Sequence, residues 1–144
     1  SRFRMEKVFN PIPSAEGWQL SNAPVLSMAA HKASLDIFEE AGFENLINKG
    51  QQLSNYLFFI IEHINAAANK KIIEIITPKN AKGCQVSMLM MEKGKEVFDT
   101  LKQNGIIADW REPNVIRIAP VPLYNTFEDV WKFGEIVKLI LNKR

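Results

Sequence analysis

The sequence predicts an α+β domain: a small mixed or antiparallel sheet covered by helices in two layers. Three observations lead there. Apolar residues recur at helical spacing in two long early stretches and two shorter later ones. Strand-like runs come in pairs, the second pair joined by a short turn. One helix separates the pairs, a hairpin-and-helix pattern unlike repeated parallel crossovers. With 144 residues, 47% hydrophobic and 24% charged, the chain holds enough apolar material for a single core.

The lead-in, residues 1–20, reads as extended. Phe9-Asn10-Pro11-Ile12-Pro13 leaves no room for a helix, and Ser1 to Lys7 is neither an initiator methionine nor a targeting sequence, as expected of a chain entered midway. Residues 21–144 are expected to form one small domain. Ser21 or Asn22 can cap a helix with Pro24 in its first turn, and Leu26, Ala29, Ala30, Ala33, Ile37 and Ala41 give it an apolar face before Gly42 stops it. A longer helix follows, with a stripe of Leu46, Leu53, Leu57, Ile60, Ile61 and Ile64.

Ile72 to Ile76 then reads as a strand ended by Thr77-Pro78, and Cys84 to Met90 as another with period two. Lys93 to Asn104 forms a short amphipathic helix that Gly105 terminates. Ile106 to Trp110 and Val115 to Ala119 make two strands around Arg111-Glu112-Pro113-Asn114. Thr126-x-x-Asp129 resembles a capping box with a shorter acid and opens the last helix, whose buried side is Val130, Phe133, Ile136, Val137 and Ile140.

Charge and composition narrow the function. A net charge of +2, with no basic stripe interleaved with aromatics, argues against a nucleic-acid partner. No apolar run reaches the ~18 residues of a membrane span, and a single cysteine fits a reducing compartment, hence the cytoplasm. His31 and His63 lack second ligands at metal spacing, so no metal site is expected. Cys84 reads as a structural thiol, Met88, Met90 and Met91 as core filler and edge. Neither a phosphate-binding nor a dinucleotide glycine motif occurs.

Arg117 stands out, within Val115-Ile116-Arg117-Ile118-Ala119-Pro120-Val121-Pro122. A guanidinium on an apolar strand needs an anion. It either lies on a solvent face or pairs with a structural carboxylate such as Glu112, or else its planar fork grips a ligand carboxylate through two parallel hydrogen bonds. The two prolines stiffen the exit from the strand.

Several segments resemble a known family. Gly17-Trp18-Gln19-Leu20-Ser21-Asn22-Ala23-Pro24, with Ala33-Ser34-Leu35-Asp36-Ile37-Phe38 and Ala41-Gly42, is similar to the opening of the kynureninase C-terminal domain. Gly83-Cys84-Gln85 matches too, and Asp109 through Val130 closely resembles that family's last strand and helix.

The resemblance implies the C-terminal small domain of a fold type I pyridoxal 5'-phosphate enzyme. Kynureninases are homodimeric and hydrolyse L-kynurenine, or 3-hydroxykynurenine, to an anthranilate and L-alanine in tryptophan catabolism. It implies that Arg117 binds the α-carboxylate of an amino-acid substrate, that Ser21 lies at the substrate pocket and that Asn22 contacts the cofactor. No residue of this stretch matches the family's Schiff-base lysine, so the catalytic residues are expected elsewhere and the chain alone is expected to be inactive. Two other readings stay open: the small domain of a desulfurase or aminotransferase of the same fold, and a stand-alone anion-binding regulatory module.

Overall fold

The computed structural model describes residues 5–19 and 21–141. They fall into two compact units, one up to Glu40 and one from Ala41 onward. The first contains the lead-in, a 3-10 turn at Ala15–Trp18, and all but the last residue of helix α1, Val25–Ala41. The Pro24 carbonyl accepts the Met28 N–H at 2.9 Å. The cap position therefore falls on Pro24, and Ser21 and Asn22, expected as caps, lie upstream in a bend. Proline lacks an N–H and holds φ near its helical value, so a helix starts cleanly there. The apolar stripe read along α1 buries no residue.

The second unit is built on helix α2, Phe43–Ala67. Gly42, at φ 79°, separates it from α1; this left-handed backbone is what glycine adopts without a Cβ penalty. The predicted stripe lands inside, with Leu46, Leu53, Leu57, Ile60, Ile61 and Ile64 all buried.

Strands β1 (Ile73–Ile75) and β2 (Val86–Met90) follow, then helix α3 (Gly94–Gln103), the β3–β4 hairpin (Asp109–Arg111 and Val115–Ile118) and helix α4 (Phe127–Leu141). The sheet has order β1-β2-β4-β3, and every pairing is antiparallel. Strand alternation sorts its residues onto two faces. Ile73, Val86, Met88, Met90 and Ile116 go to the core with the buried residues of α2, α3 and α4, while Glu74, Ser87, Asp109, Arg111 and Arg117 take the other face. Met91, just past β2, is exposed, an edge residue as expected.

The strand expected from Ile106 starts only at Asp109. Gly105, at φ 77°, turns the chain out of α3, and the N–H of Ile106 bonds back to the Leu101 carbonyl at 3.0 Å. That donor is spent on closing the helix and cannot join a ladder. The last helix begins as read: Asp129 Oδ2 accepts the Thr126 N–H at 2.8 Å, and Thr126 Oγ1 accepts the Asp129 N–H at 3.2 Å. This reciprocal cap satisfies two helix-end donors. The Thr126 N–H, and then the Asn125 amide, hold the Asp129 carboxyl below the usual carboxylate range.

Helix α4 crosses α2 at Gly134, where an added Cβ would run into Cγ2 of Ile60. That methyl sits on a β-branched carbon and cannot swing away within a helix. Overpacking costs about 1–3 kcal/mol, against the ~1 kcal/mol that alanine gains over glycine in a helix. Gly134→Ala is therefore expected to lower the urea midpoint. Adding Ile60→Ala should give a double variant more stable than the sum of the two single losses requires.

Candidate functional site

The hairpin register builds the site. Across β3 and β4, Asp109 pairs with Arg117, Trp110 with Ile116 and Arg111 with Val115. The even-numbered pair faces the core, where Ile116 is fully buried. Asp109, Arg111 and Arg117 therefore share the opposite face, and Ser87 of β2 stands opposite Arg117 on its other side.

The Arg117 side chain is 31% exposed. Its Nε donates to Asp109 Oδ2 at 2.5 Å, Nη2 is ion-paired with that oxygen at 2.5 Å, and Arg111 Nε donates to the same oxygen at 2.9 Å. The Arg117 hydrogen bond holds the Asp109 carboxyl below the ordinary carboxylate range; partial desolvation opposes this and Arg111 reinforces it. Glu112, the partner weighed from sequence, is engaged elsewhere and accepts from Trp110 Nε1 at 2.8 Å. The turn carries Glu112 past the end of the ladder, so it cannot reach back to Arg117.

Arg117 and Asp109 line a cavity of about 820 Å³, bounded by the α3–β3 connection, the exit from β4 and the α4 residues Val130, Phe133 and Ile136. The exit loop is held firmly. Lys49 Nζ of α2 donates to the Pro122 carbonyl at 2.7 Å, and Asn125 Oδ1 accepts the Val121 N–H at 2.8 Å. Gly50 of α2 lets the half-buried Cys84 and Pro122 approach, since a Cβ there would stand 3.1 Å from Cys84 Sγ.

The other charges on the cavity wall have partners of their own. Asp129 is committed to the α4 cap, Glu135 accepts from Lys138 at 2.9 Å, and Lys132 pairs with Glu128 at 2.7 Å. The arginine pair with its single aspartate carries one net positive charge. Such a site suits a small carboxylate.

Of the other residues expected at a site, Ser21 and Asn22 belong to the first unit. Both are exposed, and the Ser21 carbonyl accepts from Gln19 Nε2 at 2.8 Å. Sequence reasoning missed Asp109 and Arg111. Their signal was the D-x-R spacing, which puts both on one strand face. Among the described residues no group of His, Cys, Asp and Glu could hold a metal ion, and no helix is long and apolar enough to cross a membrane.

A pyridoxal 5'-phosphate would need partners for its aldehyde, ring nitrogen and phosphate. With Asp129, Lys132 and Glu135 of the cavity wall engaged with neighbours, the Arg117–Asp109 pair that remains does not fit that group by itself.

Fold and site together define a small α+β domain with a partly exposed guanidinium on the wall of a cavity, and solved structures share the fold. A NifS-like protein superposes with a TM-score of 0.68 at 19% identity, over 96% of this chain and 40% of that one. An acetylornithine aminotransferase from Elizabethkingia anophelis gives 0.61 at 24% identity, over 79% and 27%. The family model described as the kynureninase C-terminal domain matches residues 46–137, and the chain belongs to that family.

Among curated relatives, the kynureninase of Flavobacterium psychrophilum is 49% identical over 139 residues, 95% of this chain and 32% of that protein. The kynureninase of Xanthomonas axonopodis pv. citri is 45% identical over 143 residues, 96% and 33%. The chain thus spans about a third of the length of the curated relatives it matches.

Proposed function

We propose that this chain is the substrate-gripping domain of a pyridoxal-phosphate-dependent kynureninase, a homodimeric cytoplasmic hydrolase that converts L-kynurenine or its 3-hydroxy form to an anthranilate and L-alanine. Family membership supports the reaction class. The observation that carries the site assignment is Arg117, which lines the cavity described above with part of its guanidinium outside the contact to Asp109.

In this reading Arg117 binds the substrate α-carboxylate. Holding one end of the amino acid fixes where its amino group and side chain lie, and such orientation lowers the barrier without any chemical step by the arginine itself. The exit loop, pinned by Lys49 and Asn125, keeps that anchor in place. Pyridoxal phosphate would be held mainly by residues outside this chain and would supply an electron sink there. Ser21 is assigned to the substrate pocket and Asn22 to the cofactor.

Product analysis tests the proposal. The complete enzyme, given L-kynurenine, should release an anthranilate and alanine, and should act poorly on cysteine and on N-acetylornithine. Sulfur release from cysteine, or amino transfer without cleavage of kynurenine, would place it with the other enzymes of this fold. The isolated domain should turn over none of these substrates.

A further inference from the structure

Arg117 does not meet its ligand as a free side chain. Of the five N–H groups that a guanidinium carries, the Nε hydrogen is donated to Asp109 Oδ2, and Nη2 is ion-paired with the same oxygen. Both nitrogens are on the side edge of the plane. The two Nη1 hydrogens and the second Nη2 hydrogen, at the tip, have no hydrogen bond or ion pair to another described side chain. An arginine held by its edge cannot rotate about its last torsions, yet its tip keeps the spacing that matches two carboxylate oxygens.

Asp109 is itself placed by covalent and hydrogen-bonded constraints. It lies directly across the ladder from Arg117, and Arg111, two residues along the same strand face, donates to the same oxygen. Two guanidinium charges against one carboxylate leave the group cationic, so the internal pair does not cancel attraction for an anion. The Arg117 hydrogen bond, and after it the Arg111 contact, hold the Asp109 carboxyl below the ordinary carboxylate range.

We propose that Asp109 is a positioning residue: it clamps the Nε–Nη2 edge of Arg117 so that the Nη1–Nη2 tip is presented to the substrate α-carboxylate, with Arg111 steadying the clamp. This rests on the assignment of Arg117 as the carboxylate anchor. It also opposes simple charge counting. Removing Asp109 raises the positive charge of the site by one, which by Coulomb attraction alone should tighten carboxylate binding. Loss of orientation should weaken it, because a mobile arginine must be ordered each time a ligand binds.

The test uses the complete enzyme with Asp109→Ala, Asp109→Asn and Arg117→Ala, each assayed with L-kynurenine. Inhibition by the decarboxylated analogue of kynurenine, which lacks the α-carboxylate, is measured in parallel. Asp109→Ala should raise KM about tenfold or more with a smaller change in kcat, and Asp109→Asn, which keeps an acceptor oxygen, should fall between it and the parent. Affinity for the decarboxylated analogue should stay within about twofold, a split that general loss of structure does not produce. Combined with Arg117→Ala, Asp109→Ala should add little.

An unchanged or lowered KM in both Asp109 variants would overturn the positioning role, as would equal losses for kynurenine and its decarboxylated analogue. In either case a large loss in Arg117→Ala would leave the anchor assignment standing. Near-parent kinetics in Arg117→Ala would overturn both.

Discussion

Arg117→Ala in the complete enzyme is expected to cut kcat/KM for L-kynurenine by about a hundredfold or more, because truncating one side of a hydrogen-bonded ion pair costs about 2–5 kcal/mol. The loss should fall mainly on KM, since the contact holds in the bound substrate as well as in the transition state. Cofactor content should not change, for Arg117 is assigned to the substrate carboxylate and not to the cofactor. Arg117→Lys keeps a charge but not a planar fork, and should recover only part of the activity. Steady-state kinetics with the cofactor's absorbance followed in the same samples checks all three expectations. Near-normal kcat/KM in Arg117→Ala would end the anchor assignment.

The second large effect concerns folding. Asn65, near the end of α2, uses its whole side chain to start the sheet. Its Oδ1 accepts the N–H groups of Ile72 at 2.8 Å and Ile73 at 3.0 Å, and its Nδ2 donates to the Ile73 carbonyl at 2.8 Å. Both isoleucines are buried, at 3% and 1% exposure, so no solvent can take over.

Asn65→Ala strands two buried donors and an acceptor. An unsatisfied buried group costs about 1–3 kcal/mol, which gives an expected loss of about 3 kcal/mol in unfolding free energy. Asn65→Asp retains the acceptor for both N–H groups and loses only the donor, so urea denaturation should rank it between the parent and Asn65→Ala. Equal stability of Asn65→Ala and the parent would show that Asn65 does not anchor the sheet.

Much of this architecture was legible in the amino-acid order. The stripe from Leu46 to Ile64 runs at helical period because one side of α2 meets the core and the other meets water, and such a pattern is hard to misread. The Thr126/Asp129 cap was visible for a similar reason, being local and set by spacing alone.

The hairpin was harder. Taking Arg111 to Asn114 as the turn places Trp110 opposite Val115, and so Ala108 opposite Arg117. The observed turn is one residue shorter, which sets Asp109 there instead. A slip of one residue sends every side chain of a strand to the wrong face. For that reason the arginine was found and its partner was not. Asn65 escaped for another reason. Its contacts join a helix end to a strand across a connection whose path depends on tertiary packing, and nothing in a lone asparagine reveals that.

Strand β3 occupies the outer position of the sheet, with only three residues in its ladder. Outermost strands have unspent backbone groups that can recruit a stray chain and begin aggregation. Here two of the three carry full charges, Asp109 and Arg111, on one face. An intruding strand would have to bring its own side chains up against them over a very short length. The same acid and base that steady the arginine thus also make this border a poor template for unwanted sheet growth.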